Sequence, residues 1–179
     1  VMPILELVGP GGAGQGGARP QITLKNFEAV TKEVLRNSEN RGIESQVLFI
    51  PTPDGLLVQL VDAEDQPLFP AGKTELTPRG RFILEQLGSL LALLPSFELV
   101  VSGHTDGHPF PPGSPYTNWD LSLDRAQKAA HILILEGMLP EKIVAVAGYG
   151  DTRPFKEDDR FDPRNRRITF LLKRVGAAP

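Results

Sequence analysis

Cysteine is absent from the 179 residues. That excludes a disulfide framework and any thiolate metal site. Also missing is a run of about 20 apolar residues, the length that crosses a bilayer. The longest apolar region, Leu87 to Val101, is interrupted by Pro95 and Glu98. The first residues, Val-Met-Pro-Ile-Leu-Glu, have neither the basic n-region nor the apolar h-region of a signal peptide. If the protein works outside the cytoplasm, its export signal or anchor is expected outside this chain. An excess of positive charge is absent too: the formal net charge is −3. The basic cluster Arg164, Arg166, Arg167 is local and follows Glu157, Asp158 and Asp159. A large electrostatic footprint for nucleic acid is therefore not expected.

What is there suits a soluble globular domain: 40% hydrophobic and 23% charged residues, enough for one sizeable core. Residues 9–20, GPGGAGQGGARP, cannot offset their ordering entropy by burial, so 1–20 reads as a flexible linker or tail. Ile22, Phe27, Val30 and Val34 recur at helical spacing, which predicts a helix over 22–40 with Gly42 as its stop. Val47–Ile50 and Leu56–Val61 flank the turn residues Pro53-Asp54-Gly55, the pattern of a hairpin. Thr77-Pro78 supplies a capping hydroxyl followed by proline at the first helical position. Ile83, Leu87, Leu90, Leu91 and Leu94 then form one apolar face, ended by Pro95. Phe97–Ser102, Ile143–Ala147 and Ile168–Leu172 read as core strands. A second helix is expected from about Asn118 to Glu136, closed by Gly137. The order is a hairpin, then α-β-α-β-β. Two helices on one face of a mixed four- or five-stranded sheet would bury this pattern, an α/β (α+β) class.

The segment SGHTDGHPF, residues 102–110, leaves an apolar strand and immediately becomes polar. Ligands of α/β sheets sit beyond such strand ends, and the next element is a helix N-terminus, which favours an anionic group. Arg125, about two turns into that helix, offers a guanidinium fork for a carboxylate; Asp106 offers an anion for an ammonium. Together they describe a receptor for a zwitterion such as an amino-acid group. Two other readings stand beside it. Asp106-Gly107 could be a plain turn with Arg125 a solvated helix residue. His104, Asp106 and His108 could hold a metal, although Pro109 argues against the extended backbone this needs, and no His-Glu-x-x-His is present. Ser102 beside His104 is a weaker nucleophile candidate, because no Gly-x-Ser-x-Gly elbow exists. Trp119 and Phe110 are expected to pack locally, Tyr149 to pack under the 148–164 loop, Arg166 and Arg167 to pair with loop carboxylates or flank a strand, and His131 to be exposed.

Four segments in order carry a resemblance: Gly103-His104-Thr105-Asp106; Asn118-x-x-Leu121-Ser122-x-x-Arg125-Ala126; Gly148-Tyr149-Gly150-Asp151-x-Arg153-Pro154; and Asn165-Arg166-Arg167-Ile168. Residues 55–175 resemble the OmpA-like peptidoglycan-binding domain. Asp54-Gly55-Leu56 to Val61-Asp62, Pro67-Leu68-Phe69-x-x-Gly72, Pro109 after His-Thr-Asp, and Tyr116-x-Asn118-Trp119 are similar to the periplasmic region of flagellar stator proteins of the MotB type. The resemblance implies an OmpA-like mixed sheet with two helices on one face, here preceded by an N-terminal helix and a Gly-rich tail. It implies that Asp106 and Arg125 grip the diaminopimelate of the peptidoglycan peptide stem, with Thr105, Asn118 and the backbone around Leu121 lining the pocket. It implies a non-catalytic wall anchor without cofactor or metal, working in the periplasm as a homodimer. A MotA-like channel partner would be reached through an inner-membrane segment outside this chain. Residues 21–54 are expected to form a regulatory or dimerisation segment. An outer-membrane or lipoprotein anchor with the same domain, and a metal-dependent wall hydrolase using His104, Asp106 and His108, are the alternatives.

Overall fold

A hairpin and three further strands meet in one five-stranded sheet. The structure, a computed structural model, describes residues 22–36 and 42–175; the expected tail over 1–20 lies outside them. Helix α1 is Phe27–Arg36, shorter than the expected 22–40, whose last residues lie outside the described ones. A 3-10 turn, Ile43–Gln46, leads into strands β1 (Val47–Thr52) and β2 (Gly55–Val61). Helix α2 (Pro78–Ala92), strand β3 (Glu98–His104), helix α3 (Asn118–Leu135), strand β4 (Ile143–Gly148) and strand β5 (Arg167–Lys173) follow.

The sheet order is β1-β2-β5-β3-β4. Neighbours are antiparallel except β3 and β4, which run parallel. The last strand therefore enters the middle. Phe170 of β5 sits between Val58 and Val101 in register, and all three are fully buried. Thr52 pairs with Gly55 to close the hairpin, and Pro51 is tolerated because β1 is an edge strand.

Local chemistry sets the helix ends. The Thr77 hydroxyl accepts from the Gly80 N–H at 3.1 Å, and Pro78 opens α2. At α3, the Asp120 carboxylate accepts from the backbone N–H of Thr117 at 2.8 Å and from its hydroxyl at 2.6 Å. Gly137, at φ 97, closes α3 in the left-handed region. The predicted apolar face of α2 (Ile83, Leu87, Leu90, Leu91, Leu94) is buried, as are Ala126, Ala129, Ala130 and Leu133 of α3. Helix α3 lies over β3 and β4, and α2 packs beside α3.

Helix α1 adds a third helix, packed against α2. Phe27, Val34, Leu35 and Ile43 join the same core as β2, β5 and α2. Full burial of one such side chain stabilises by roughly 1.5–3 kcal/mol. The Gln46 amide fastens the junction: Nε2 donates to the carbonyls of Val61 and Gln66, and Oε1 accepts from Arg79 Nε.

Candidate functional site

Helix α3 comes down unusually close onto the ends of β3 and β4. Glycine allows it. A Cβ on Gly103 would lie 1.9 Å from the Ser122 carbonyl oxygen, and one on Gly148 would lie 2.5 Å from the Leu123 nitrogen. Ser122 then uses the proximity: its Oγ accepts from the Gly150 N–H and donates to the Trp119 carbonyl, both at 2.9 Å. The Thr105 N–H donates to the Gly150 carbonyl at 2.9 Å. These bonds lock the strand ends, the loop after β4 and the first turns of α3 into one frame.

The loop leaving β3 is pinned to that frame. Asp106 Oδ1 accepts from the His108 N–H at 3.1 Å, a local turn. Asn118 Nδ2 donates to the His108 carbonyl at 3.0 Å, and the Gly107 N–H donates to the Arg160 carbonyl at 2.7 Å. The result is a cleft of about 360 Å³. Its lining includes all five residues singled out from the sequence, Thr105, Asp106, Asn118, Leu121 and Arg125, together with Ala71, Gly72, His108, Pro109, Phe110, Pro111 and Arg166.

Arg125 is not a solvated helix residue, the plainer alternative left open by the sequence. It is 2% exposed. Nε donates to the Lys73 carbonyl at 2.9 Å, Nη2 donates to the Pro70 carbonyl at 3.2 Å, and the guanidinium lies 4.6 Å from the Phe69 ring centroid. The loop after β2 is thus folded over α3 and holds the guanidinium at the cleft. Burial lowers the Arg125 pKa to about 10, with Asp62 the main opposing influence, so the group stays charged at neutral pH.

Arg166, immediately before β5, spans two carboxylates. Nε donates to Asp62 Oδ2 and Nη1 to Asp106 Oδ2, each at 2.8 Å. Burial works against its charge, but these two bonds hold its pKa above the usual arginine value. Asp62 and Asp106 against Arg125 and Arg166 leave the cluster formally neutral, and a neutral cluster suits a ligand with no net charge of its own. The Thr105 hydroxyl, buried on the cleft wall, has no hydrogen-bond partner among the described residues. Buried polar atoms are normally satisfied, so this one is a natural contact for a bound ligand.

The metal reading finds no support in the geometry. His104 does not line the cleft; its ring stacks on Tyr149, centroids 5.4 Å apart. Burial first, then Arg167 and Arg153, hold its pKa down at about 3. His108 Nδ1 lies 3.1 Å from Asp106 Oδ1 at the rim. Among the described residues, no three His, Cys, Asp or Glu side chains converge as a metal site would need.

One expectation about the surrounding side chains needs correcting, and the structure fills in the others. Trp119 does not pack locally; it is 55% exposed. Phe110 meets Tyr116 edge-on at 5.4 Å and also forms cleft wall. Tyr149 carries both the His104 ring and the Arg153 guanidinium, the latter 3.8 Å from its centroid. His131 is exposed, as expected, and Arg167 takes the expected place at a strand, as the first residue of β5, its Nε donating to Gln59 Oε1 at 3.0 Å. Sequence reasoning missed Asp62 and Arg166 as parts of the site. Their types and positions were visible, but their partners lie 104 and 60 residues away.

Comparison with known proteins adds to this geometry. Residues 68–167 match the OmpA family. Motility protein B of Escherichia coli strain K12 is 33% identical over 120 residues, 66% of this chain and 39% of that protein. Motility protein B of Bacillus subtilis strain 168 is 28% identical over 156 residues, 86% of this chain and 59% of that protein. The crystal structure of the periplasmic domain of Helicobacter pylori MotB superposes with a TM-score of 0.63 at 20% identity, over 76% of this chain and 82% of that one. At that identity the likeness speaks for the fold. The chain spans less than two thirds of the length of the two curated relatives.

Proposed function

Because the chain belongs to the OmpA family, we propose that it is a non-catalytic peptidoglycan-binding domain that anchors a flagellar stator unit to the cell wall. One observation carries the reading. Arg125 and Asp106 line one formally neutral cleft, with the free Thr105 hydroxyl between strand end and helix. A diaminopimelate residue of the peptide stem carries an ammonium and a carboxylate on one carbon. Arg125 takes the carboxylate through its guanidinium. Asp106, an acceptor with lone pairs beyond those used by Arg166 and His108, takes the ammonium. Thr105 and Asn118 add neutral hydrogen bonds, and Leu121 supplies an apolar wall.

The rest of the proposal follows the relatives. Wall binding gives torque a fixed point to push against. The domain sits in the periplasm; a membrane segment outside this chain joins it to a MotA-like channel partner. Among the described residues no helix is long and apolar enough to cross a membrane. Residues 21–54 are where pairing into a homodimer or control of cleft access would act, and sedimentation across a concentration series checks the pairing.

The test is pull-down with purified sacculi, with and without free diaminopimelate. Each charge-assisted bond is worth roughly 1.5–3 kcal/mol, so losing one weakens binding by about tenfold to a hundredfold. Because Arg125 also holds the loop at 70–73, Arg125→Lys is the informative variant: it keeps the charge and loses the fork. Asp106→Asn tests the other anchor, with circular dichroism as folding control and chelator in parallel. Undiminished binding by both folded variants would sink the zwitterion pocket; loss of binding on chelation would revive the metal reading.

A further inference from the structure

The cleft is lined by Asp106, Arg125 and Arg166 but by none of His104, Arg153 and Arg167, which belong to the same polar segments. These three meet elsewhere. Gly103 faces α3, so the next residue of β3, His104, points to the sheet face that α3 does not cover. Arg167 stands directly opposite His104 on β5. The Tyr149 ring stacks on the imidazole, and the Arg153 guanidinium lies 3.8 Å from the centroid of that same ring. One histidine and two arginines therefore share a patch.

Among the described residues neither arginine is paired with a carboxylate. Arg167 donates to neutral oxygens, Nε to Gln59 Oε1 at 3.0 Å and Nη1 to the Asn165 carbonyl at 3.4 Å. Arg153 has the Tyr149 ring and no ion pair. The nearby carboxylates are engaged: Asp151 bonds Arg160, and Asp62, next to the Val61 that pairs with Arg167, bonds Arg166. Burial holds the Arg167 pKa down at about 10, with no carboxylate opposing it. His104 is 4% exposed, and its Nδ1 forms no hydrogen bond among the described residues. A buried polar atom without a partner and a partly buried cation without a counter-ion are both costly if left alone. A single anion answers both.

The donor set selects the anion. Two guanidinium forks match the oxygens of a phosphate, and a neutral imidazole adds one N–H. Two positive charges balance a phosphate dianion. The Tyr149 ring already holds the Arg153 guanidinium, which lessens the freedom lost on binding. The next row on the same face, Ser102 opposite Thr169, places two hydroxyls alongside.

We propose that His104, Arg153 and Arg167 form an oxyanion site for one phosphate group, carried either by free phosphate or by a lipid headgroup. The site is separate from the cleft and does not depend on the peptidoglycan reading.

The experiment titrates the whole chain with inorganic phosphate at constant ionic strength, read by calorimetry and by NMR of the His104 ring, with sodium chloride as reference. Phosphate should saturate one site and shift the His104 signals; chloride should do neither. Arg167→Lys keeps the charge, loses the fork and should weaken phosphate binding about tenfold. Arg153→Gln, at an exposed position, should fold as wild type and weaken it about three- to tenfold. Vesicles of phosphatidylglycerol separate the two sources. Wild-type co-sedimentation that Arg153→Gln loses would assign the site to a headgroup; saturable phosphate binding without co-sedimentation would assign it to free phosphate. A response that chloride reproduces would overturn the site. So would undiminished phosphate binding by both folded variants, or a loss confined to Arg125→Lys, which would put the anion in the cleft.

Discussion

Replacing Arg166 by methionine should cost more stability than any nearby surface substitution. Its two partners are the reason. The Asp62 side chain is 2% exposed and that of Asp106 10%, and Arg166 bonds both at 2.8 Å. Removing one partner of a buried ion pair typically destabilises by about 3–5 kcal/mol, because the remaining charge stays buried and unpaired. Here two things soften the loss. Arg166 is itself about a quarter exposed, so water already screens it, and the positive charge of Arg125 still acts on both carboxylates. The expected loss is therefore at the low end, about 3 kcal/mol at pH 7. Asp62→Asn removes one of the stranded charges. The double variant should then be less destabilised than the sum of the singles, by about 1–2 kcal/mol. The pH dependence has a definite sign. Burial already raises the Asp62 carboxyl above its ordinary value despite the bond from Arg166, and without Arg166 it must rise further. A folded state with a raised carboxyl pKa binds more protons than the unfolded chain, so its deficit shrinks as pH falls from neutral toward the unfolded value near 4. Denaturant unfolding of wild type, both singles and the double, at pH 7 and pH 5, reads all three effects. A loss below about 0.5 kcal/mol for Arg166→Met, with additive singles, would refute the argument.

Two further outcomes test other parts of the frame. Gly103→Ala places a methyl on a backbone carbonyl that cannot swing away, so it should destabilise by about 1–3 kcal/mol or more and displace the helix that carries Asn118, Leu121 and Arg125; wild-type unfolding midpoints and sacculus binding would contradict the close approach. His104 is held near pKa 3 by burial and by Arg167 and Arg153, against about 6.5 unfolded. Between these values the unfolded chain binds the extra proton, so stability should fall as pH drops below about 6.5, by at most about 1.4 kcal/mol per unit. His104→Phe keeps the stack on Tyr149 and lacks the titration. Its Tm should decline less between pH 7 and pH 5 than that of wild type, and parallel declines would remove His104 from the acid response.

Much of the secondary structure was legible because its causes are local. The Thr77-Pro78 start of α2 needs only a hydroxyl and a ring within one turn, and its apolar face needs only a period of 3.6. The hairpin at Pro53-Asp54-Gly55 likewise follows from adjacent residues. Helix α1 was expected at roughly the right place, but which core it would join was not legible, since that depends on Phe27, Val34 and Leu35 finding α2 and the sheet.

By itself the sequence determined what kinds of site this chain could not build, where its polar burst leaves an apolar strand, and which aspartate, threonine and downstream arginine are the candidates for its chemistry. Only the tertiary structure decided their meaning. Placing β5 between β2 and β3 carries Arg166 to Asp62 and Asp106, pairings between residues 104 and 60 positions apart that no periodicity encodes. The glycines at 103 and 148 are ordinary letters until α3 lies on them. Arg125 is one arginine among several until the carbonyls of Pro70 and Lys73 and the Phe69 ring enclose it at the cleft. Caps and periods depend on neighbours along the chain. A charged group's partners and its desolvation depend on which distant segments the core brings together, and that is settled only when the last strand is in place.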